Sequence, residues 1–206
     1  MDKYIYINEK SLSKELCNII MEKLNDNKTI LKDGVTLAGI NKNTKISLDF
    51  CIENNDEWHK IYTCLESELN YNLQKYLNQL NNEYVNCNEC QNTTINSLFF
   101  FKNEKIFFKR EFLAKKYLKN TGRYIYQNDF DIDNQKNYKI MKFLWYLNDV
   151  DEGGTTEFFG GNLKIKPTAG KIILFPASWT FPHCGKIPIS SDKYIISGWI
   201  WKTNHF

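Results

Sequence analysis

The 206 residues carry 27 basic against 24 acidic side chains, with hydrophobic residues at 42% and aromatics at 15%. That is enough apolar chain to bury a core in one domain, and it excludes a wholly disordered polymer. The near-balanced charge, with Arg110 and Arg123 the only arginines, argues against a nucleic-acid partner, and no apolar run approaches the ~20 residues that cross a bilayer.

The first residues, MDKYIYINEK, lack the basic-then-apolar pattern of an export signal. A cytoplasmic chain with reduced cysteines is therefore expected. Residues 4–7 read as a short strand. Ser11 or Ser13 can cap a helix that carries Leu12, Leu16, Ile19, Ile20 and Leu24 at helical spacing. Residues 25–53 are mixed, with turn signals at Asn25-Asp26-Asn27 and Asp33-Gly34. The strongest helix covers 55–83. Asn55 can cap it, and Asp56 and Glu57 suit its positive end. Trp58, Ile61, Leu65, Leu69, Leu73, Tyr76, Leu77 and Leu80 form a stripe along it, which predicts packing on a sheet rather than a partner-binding face. Cys87 and Cys90 make a lone C-x-x-C. A structural zinc needs a second such pair, so a zinc-stabilised binding protein ranks last among the functions open to this chain.

From about 97 the period changes. Short apolar runs follow at 98–101, 106–108, 111–118, 123–130, 139–148, 155–159, 162–166, 170–175, 180–184 and 192–201. Turns such as Asn120-Thr121-Gly122, Glu152-Gly153-Gly154 and Gly160-Gly161 separate them. The pattern predicts a mostly β, α+β fold: a β-sandwich or jelly roll, with N-terminal helices bracing one sheet. One domain, 1–206, is expected, with 1–95 as helical support and 96–206 as the β core.

Strand alternation gathers the polar groups that could carry chemistry. Gln127 and Asp129 leave one face of their strand. Leu144, Tyr146 and Asn148 share a face, as do Lys193, Ile195, Ser197, Trp199 and Trp201. His183 follows Phe181-Pro182 at the end of a short strand, and the parity of Cys184 gives it a packing role on the other face. An aromatic interior holding a lysine, a serine, a histidine and an aspartate is unusual, because a buried lysine needs an anionic partner. The plainer alternative has Lys193 reaching solvent from a strand end.

The blocks FLAKKYLKNTGRYIYQND, FLWYLNDVDEGGTTEFF, IKPTAGKIILFPASWTFPHCG and DKYIISGWIW occur in order between 112 and 201. Together they resemble the catalytic domain of the Fe(II)/2-oxoglutarate-dependent oxygenases, in the prolyl 4-hydroxylase-like branch. The resemblance implies a double-stranded β-helix with Fe(II) held by His-x-Asp/Glu and a distal histidine, the two-histidine, one-carboxylate face. Asp129 matches the carboxylate and His183 the distal histidine. Lys193 matches the base that pairs the far carboxylate of 2-oxoglutarate, with Ser197, Tyr146 and Tyr117 beside it and Trp199 closing the pocket.

One position departs from the pattern. The family's first histidine is Gln127 here, so that metal position is weak or vacant. His59 and His205 are the remaining histidines, and neither is near it in sequence. The implied activity is a 2-oxoglutarate-dependent dioxygenase, with ascorbate as reductant, hydroxylating a prolyl residue of a peptide or protein, with a small molecule as the other substrate class. The alternative is an impaired or inactive member that binds 2-oxoglutarate or a protein.

Overall fold

The computed structural model describes residues 2–26, 28–36, 39–85 and 111–202. The elements follow the chain as β1 (Tyr6–Asn8), α1 (Lys14–Asn25), β2 (Lys32–Asp33), β3 (Lys45–Ile46), β4 (Leu48–Ile52) and α2 (His59–Val85). Then come β5 (Phe112–Tyr117), β6 (Arg123–Gln127), β7 (Tyr138–Tyr146), β8 (Thr156–Phe158), β9 (Leu163–Ile165), β10 (Ile172–Pro176), β11 (His183–Gly185) and β12 (Lys193–Lys202). The runs at 98–101 and 106–108, the Cys87/Cys90 pair and His205 lie outside the described residues.

Local signals set the helix starts. The Ser13 hydroxyl accepts the Leu16 amide at 3.1 Å and opens α1. Ser11, the other candidate cap, is instead an acceptor for the Asn72 amide and the Trp145 indole. The Asn55 side chain accepts the Trp58 amide at 3.0 Å, in the turn that leads into α2. The stripe from Trp58 to Leu80 is buried, as the spacing predicts. It packs with Phe112, Phe143, Trp145 and Ile196 from one face of the larger sheet. Each fully buried leucine there, Leu65 or Leu69, contributes about 2 kcal/mol of apolar burial.

Two antiparallel sheets carry the rest. The larger has the order β1-β10-β7-β12-β5-β4-β2 and the smaller β3-β6-β11-β8-β9. Alternation divides β7: Phe143 and Trp145 join the helix layer, while Leu144 and Tyr146 point between the sheets. Tyr117, Phe158, Phe175 and Ile195 line that second core. This is the double-stranded β-helix that the sequence predicts. The first half of the chain supplies strands as well as helices. β1 pairs with β10, β4 with β5 and β3 with β6, so sheet hydrogen bonds tie the N-terminal part into both sheets. No helix among the described residues is long and apolar enough to cross a membrane.

Candidate active site

Asp129 and His183 come together where β6 and β11 pair, with His183 the register partner of Gln127. The Asp129 carboxylate is buried. Its Oδ1 accepts the Trp199 indole N–H at 2.9 Å and an N–H of the Lys142 ammonium at 3.5 Å. Its Oδ2 is 3.4 Å from His183 Nε2 and has no hydrogen-bond partner among the described residues. Burial alone would raise the acid's pKa, but the Lys142 ammonium, then His183, then the Trp199 N–H outweigh it and draw it down to about 2. Burial also pushes His183 below its ordinary value, despite Asp129, so the ring is neutral. Its Nδ1 is 3.1 Å from the Phe181 carbonyl, which can only accept. The ring proton therefore sits on Nδ1, and Nε2 turns a lone pair toward Oδ2. Two lone-pair atoms facing each other without a proton suit a cation bound beside both.

The other end of the interior holds Lys193, 2% exposed. The alternative of a solvent-facing lysine is thereby excluded. Its ammonium donates to the Gly154 carbonyl at 2.6 Å and lies near the rings of Tyr117 and Tyr146. No carboxylate within ion-pair distance faces it among the described residues, and burial pushes it down to about 7. The buried Ser197 hydroxyl has no partner there either. Tyr146 donates to the Thr156 hydroxyl at 2.7 Å, and burial raises its phenol. The Gly153-Gly154 turn makes this carbonyl available: both residues have positive φ, and a Cβ on Gly153 would lie 2.3 Å from the Ile187 carbonyl oxygen. One cavity is lined by Gln127, Lys142 and His183 and also by Tyr117, Lys193 and Ser197.

The expected site residues thus converge, with one shift of place. Trp199 reaches the Asp129 end rather than covering Lys193. Gln127 lines the cavity and hydrogen-bonds to Tyr124, whose phenol is pushed up to about 12, chiefly by burial. Among the described residues no third His, Cys, Asp or Glu joins Asp129 and His183. His59 starts α2 at the surface, bonded to Asn54. The pattern reading missed two interior cations, Lys142 and Lys115. The signal was parity: Lys142 stands two residues before Leu144 on β7, and Lys115 two before Tyr117 on β5.

The chemistry of the lining suits an anion, since a buried cation without a carboxylate and an orphaned hydroxyl share one cavity. For a divalent metal, Asp129 Oδ2 and His183 Nε2 fit two ligand positions. Position 127 offers only a neutral amide in place of an imidazole, and Lys142 already pairs with the same carboxylate.

Residues 112–201 match the family described as the 2OG-Fe(II) oxygenase superfamily. No curated protein matches the sequence. Among solved structures, a viral collagen prolyl hydroxylase from Paramecium Bursaria Chlorella virus-1, in its 2OG complex, is similar at 18% identity and TM-score 0.65, covering 97% of each chain. A prolyl hydroxylase from Trichoplax adhaerens, solved with a hypoxia inducible factor peptide, gives 15% identity and TM-score 0.71, over 97% of this chain and 84% of that one. A Pseudomonas putida prolyl-4-hydroxylase gives 16% and 0.67, over 96% and 92%. At these identities the likeness shows a shared fold.

Proposed function

We propose, for a chain whose residues 112–201 match the 2OG-Fe(II) oxygenase superfamily, that it hydroxylates a prolyl residue of a peptide or protein at the cost of 2-oxoglutarate. The single observation that carries this reading is the buried Lys193 ammonium, which lines the same cavity as the orphaned Ser197 hydroxyl and has no carboxylate within ion-pair distance among the described residues. A buried cation of this kind is stabilised by a ligand carboxylate, and a dicarboxylate presents one to it.

Lys193 and Ser197 hold the far carboxylate in this reading. Tyr146, fixed by Thr156, and Tyr117 wall the same end and exclude water. Asp129 and His183 would hold Fe(II), and Gln127, the register partner of His183, offers a weak third donor. Fe(II) bound there would couple oxygen activation to decarboxylation of the cosubstrate, with ascorbate as reductant. Trp199 fixes the Asp129 carboxylate, and the Phe181 carbonyl fixes the His183 ring, so both donors are oriented in advance.

The prolyl substrate is taken from the named hydroxylases of the same fold. Exposed apolar side chains support a peptide. Phe130 and Ile132 follow Asp129, and Trp179 precedes His183; they are 53%, 55% and 72% exposed. We place this work in the cytoplasm, where thiols such as Cys17 and Cys184 stay reduced. The test is succinate release with Fe(II), ascorbate and a proline-containing peptide. Succinate is expected from the protein, and about tenfold or more from Gln127→His, which restores the imidazole donor. No succinate from either protein overturns the reading.

A further inference from the structure

The connection from β8 to β9 has three consecutive residues with positive φ: Phe159 at 53°, Gly160 at 69° and Gly161 at 93°. For the two glycines that conformation carries no steric penalty. For Phe159 it does, because the left-handed region crowds a Cβ against the backbone. A bulky residue stays there only where the contacts around it outweigh the strain. Glycine would fit position 159 with less strain, and what it would lack is the ring.

The contacts of Phe159 converge on one neighbour. Its amide N–H donates to the Pro182 carbonyl at 3.2 Å, and its ring lies 5.8 Å from that of Phe181. These two residues stand immediately before His183. They belong to the link between β10 and β11, where Phe181 also closes a turn onto Ser178 and Phe159 supplies the bond from the β8–β9 connection. The His183 ring is packed by two phenylalanines. Phe158, its register partner across β8 and β11, lies 5.5 Å away, and Phe175 meets it edge to face at 4.9 Å. Phe158 and Phe175 also meet each other edge to face at 4.9 Å, and both are buried. An imidazole packed only by apolar rings can still turn over about χ2, or carry its proton on either nitrogen. The Phe181 carbonyl, 3.1 Å from Nδ1, removes both freedoms. It does so only while Phe181 and Pro182 keep their place, and Phe159 is what braces them.

We propose that the strained Phe159 is a positioning residue. Its amide and ring hold Phe181-Pro182, and the Phe181 carbonyl then keeps the His183 proton on Nδ1, with Nε2 bare and directed at the metal position beside Asp129 Oδ2. This rests on the reading of Asp129 and His183 as metal donors and adds the element that orients one of them. A relaxed backbone at 159 is available to glycine, at the loss of the ring that braces Phe181.

The test uses the whole chain and three variants. Phe159→Gly removes both the steric conflict and the ring, Phe159→Tyr keeps the ring, and His183→Gln identifies the His183 signals by their loss. Nitrogen-15 NMR of the metal-free protein reads the tautomer, and Mn(II) titration followed by EPR reads the donor. In the wild type, His183 is expected as a single Nδ1–H tautomer. Phe159→Gly should show the proton on both nitrogens and bind Mn(II) about tenfold or more weakly. Its melting temperature should stay within a few degrees of the wild type, because relief of strain offsets lost packing. Phe159→Tyr should match the wild type in both readouts. A residue that only fills the core would give the reverse pattern: a lower melting temperature with the tautomer and the Mn(II) affinity unchanged. That pattern overturns the proposal. So does a wild-type His183 with its proton on both nitrogens, a result that depends on no variant folding. A single tautomer that Phe159→Gly abolishes, in a wild type that takes up no Mn(II), upholds the positioning role and overturns the metal reading beneath it.

Discussion

The two ends of one cavity were built by different rules. At the Lys193 end the cation waits: the ammonium has a backbone carbonyl and two aromatic walls, and the Ser197 hydroxyl of the same cavity has no partner among the described residues. At the Asp129 end the carboxylate is already engaged by Trp199 and Lys142 before any ligand arrives. A site that leaves a cation uncompensated is made for an anion from outside. A site that supplies its own cation is stabilised before any ligand binds. The first end holds the residues that the resemblance implies, Lys193, Tyr146 and Tyr117. The second has Gln127 where the resemblance implies an imidazole, and Lys142 pairs with its carboxylate.

Breaking the second end should have the largest effect on stability. Asp129→Ala leaves the buried Lys142 without its carboxylate and Trp199 Nε1 without an acceptor. It is expected to cost about 3 kcal/mol in urea unfolding and to abolish metal binding at His183. A loss below about 1 kcal/mol would show that the pair does not matter to the fold.

The first end should respond to pH. Burial draws the Lys193 pKa from 10.5 down to about 7 in the folded protein. Between those values the unfolded chain binds more protons, so the ligand-free protein should gain stability as pH rises through that window. The anion needs the charged form, so 2-oxoglutarate affinity should move the opposite way and fall about tenfold from pH 7 to 8.5. Parallel melts and titrations across that range check both signs.

The smallest effect is expected at Ser197. Its hydroxyl is unsatisfied in the ligand-free protein, so Ser197→Ala should leave the melting temperature unchanged or slightly higher. The ligand should bind only a few-fold more weakly, because Lys193 still supplies the charge.

Much of this was legible in the sequence. The helix stripe from Trp58 to Leu80 is core because its spacing is helical and its opposite face polar. The turn glycines and the ordered blocks from 112 to 201 gave the β-helix, and alternation gathered Asp129, His183, Lys193 and Ser197. The strands within 25–53 were harder to read. β2 and β3 are two residues long and carry charged side chains, so neither period of apolar residues marks them. Lys142 and Lys115 were hidden for another reason. Lysine in a strand reads as solvent-facing, and only the parity of Leu144 and Tyr117 turns them inward. The place of Trp199 depended on Asp129, two residues beyond the end of β6, and no strand period fixes a residue there.

The central claim is that the Lys193 end is a carboxylate site for 2-oxoglutarate. Titration of 2-oxoglutarate into Mn(II)-supplemented wild-type and Lys193→Met protein tests it most directly. The account predicts saturable binding by the wild type and a loss of about a hundredfold in the variant, with the fold intact by circular dichroism. Equal affinity for the two proteins would contradict it.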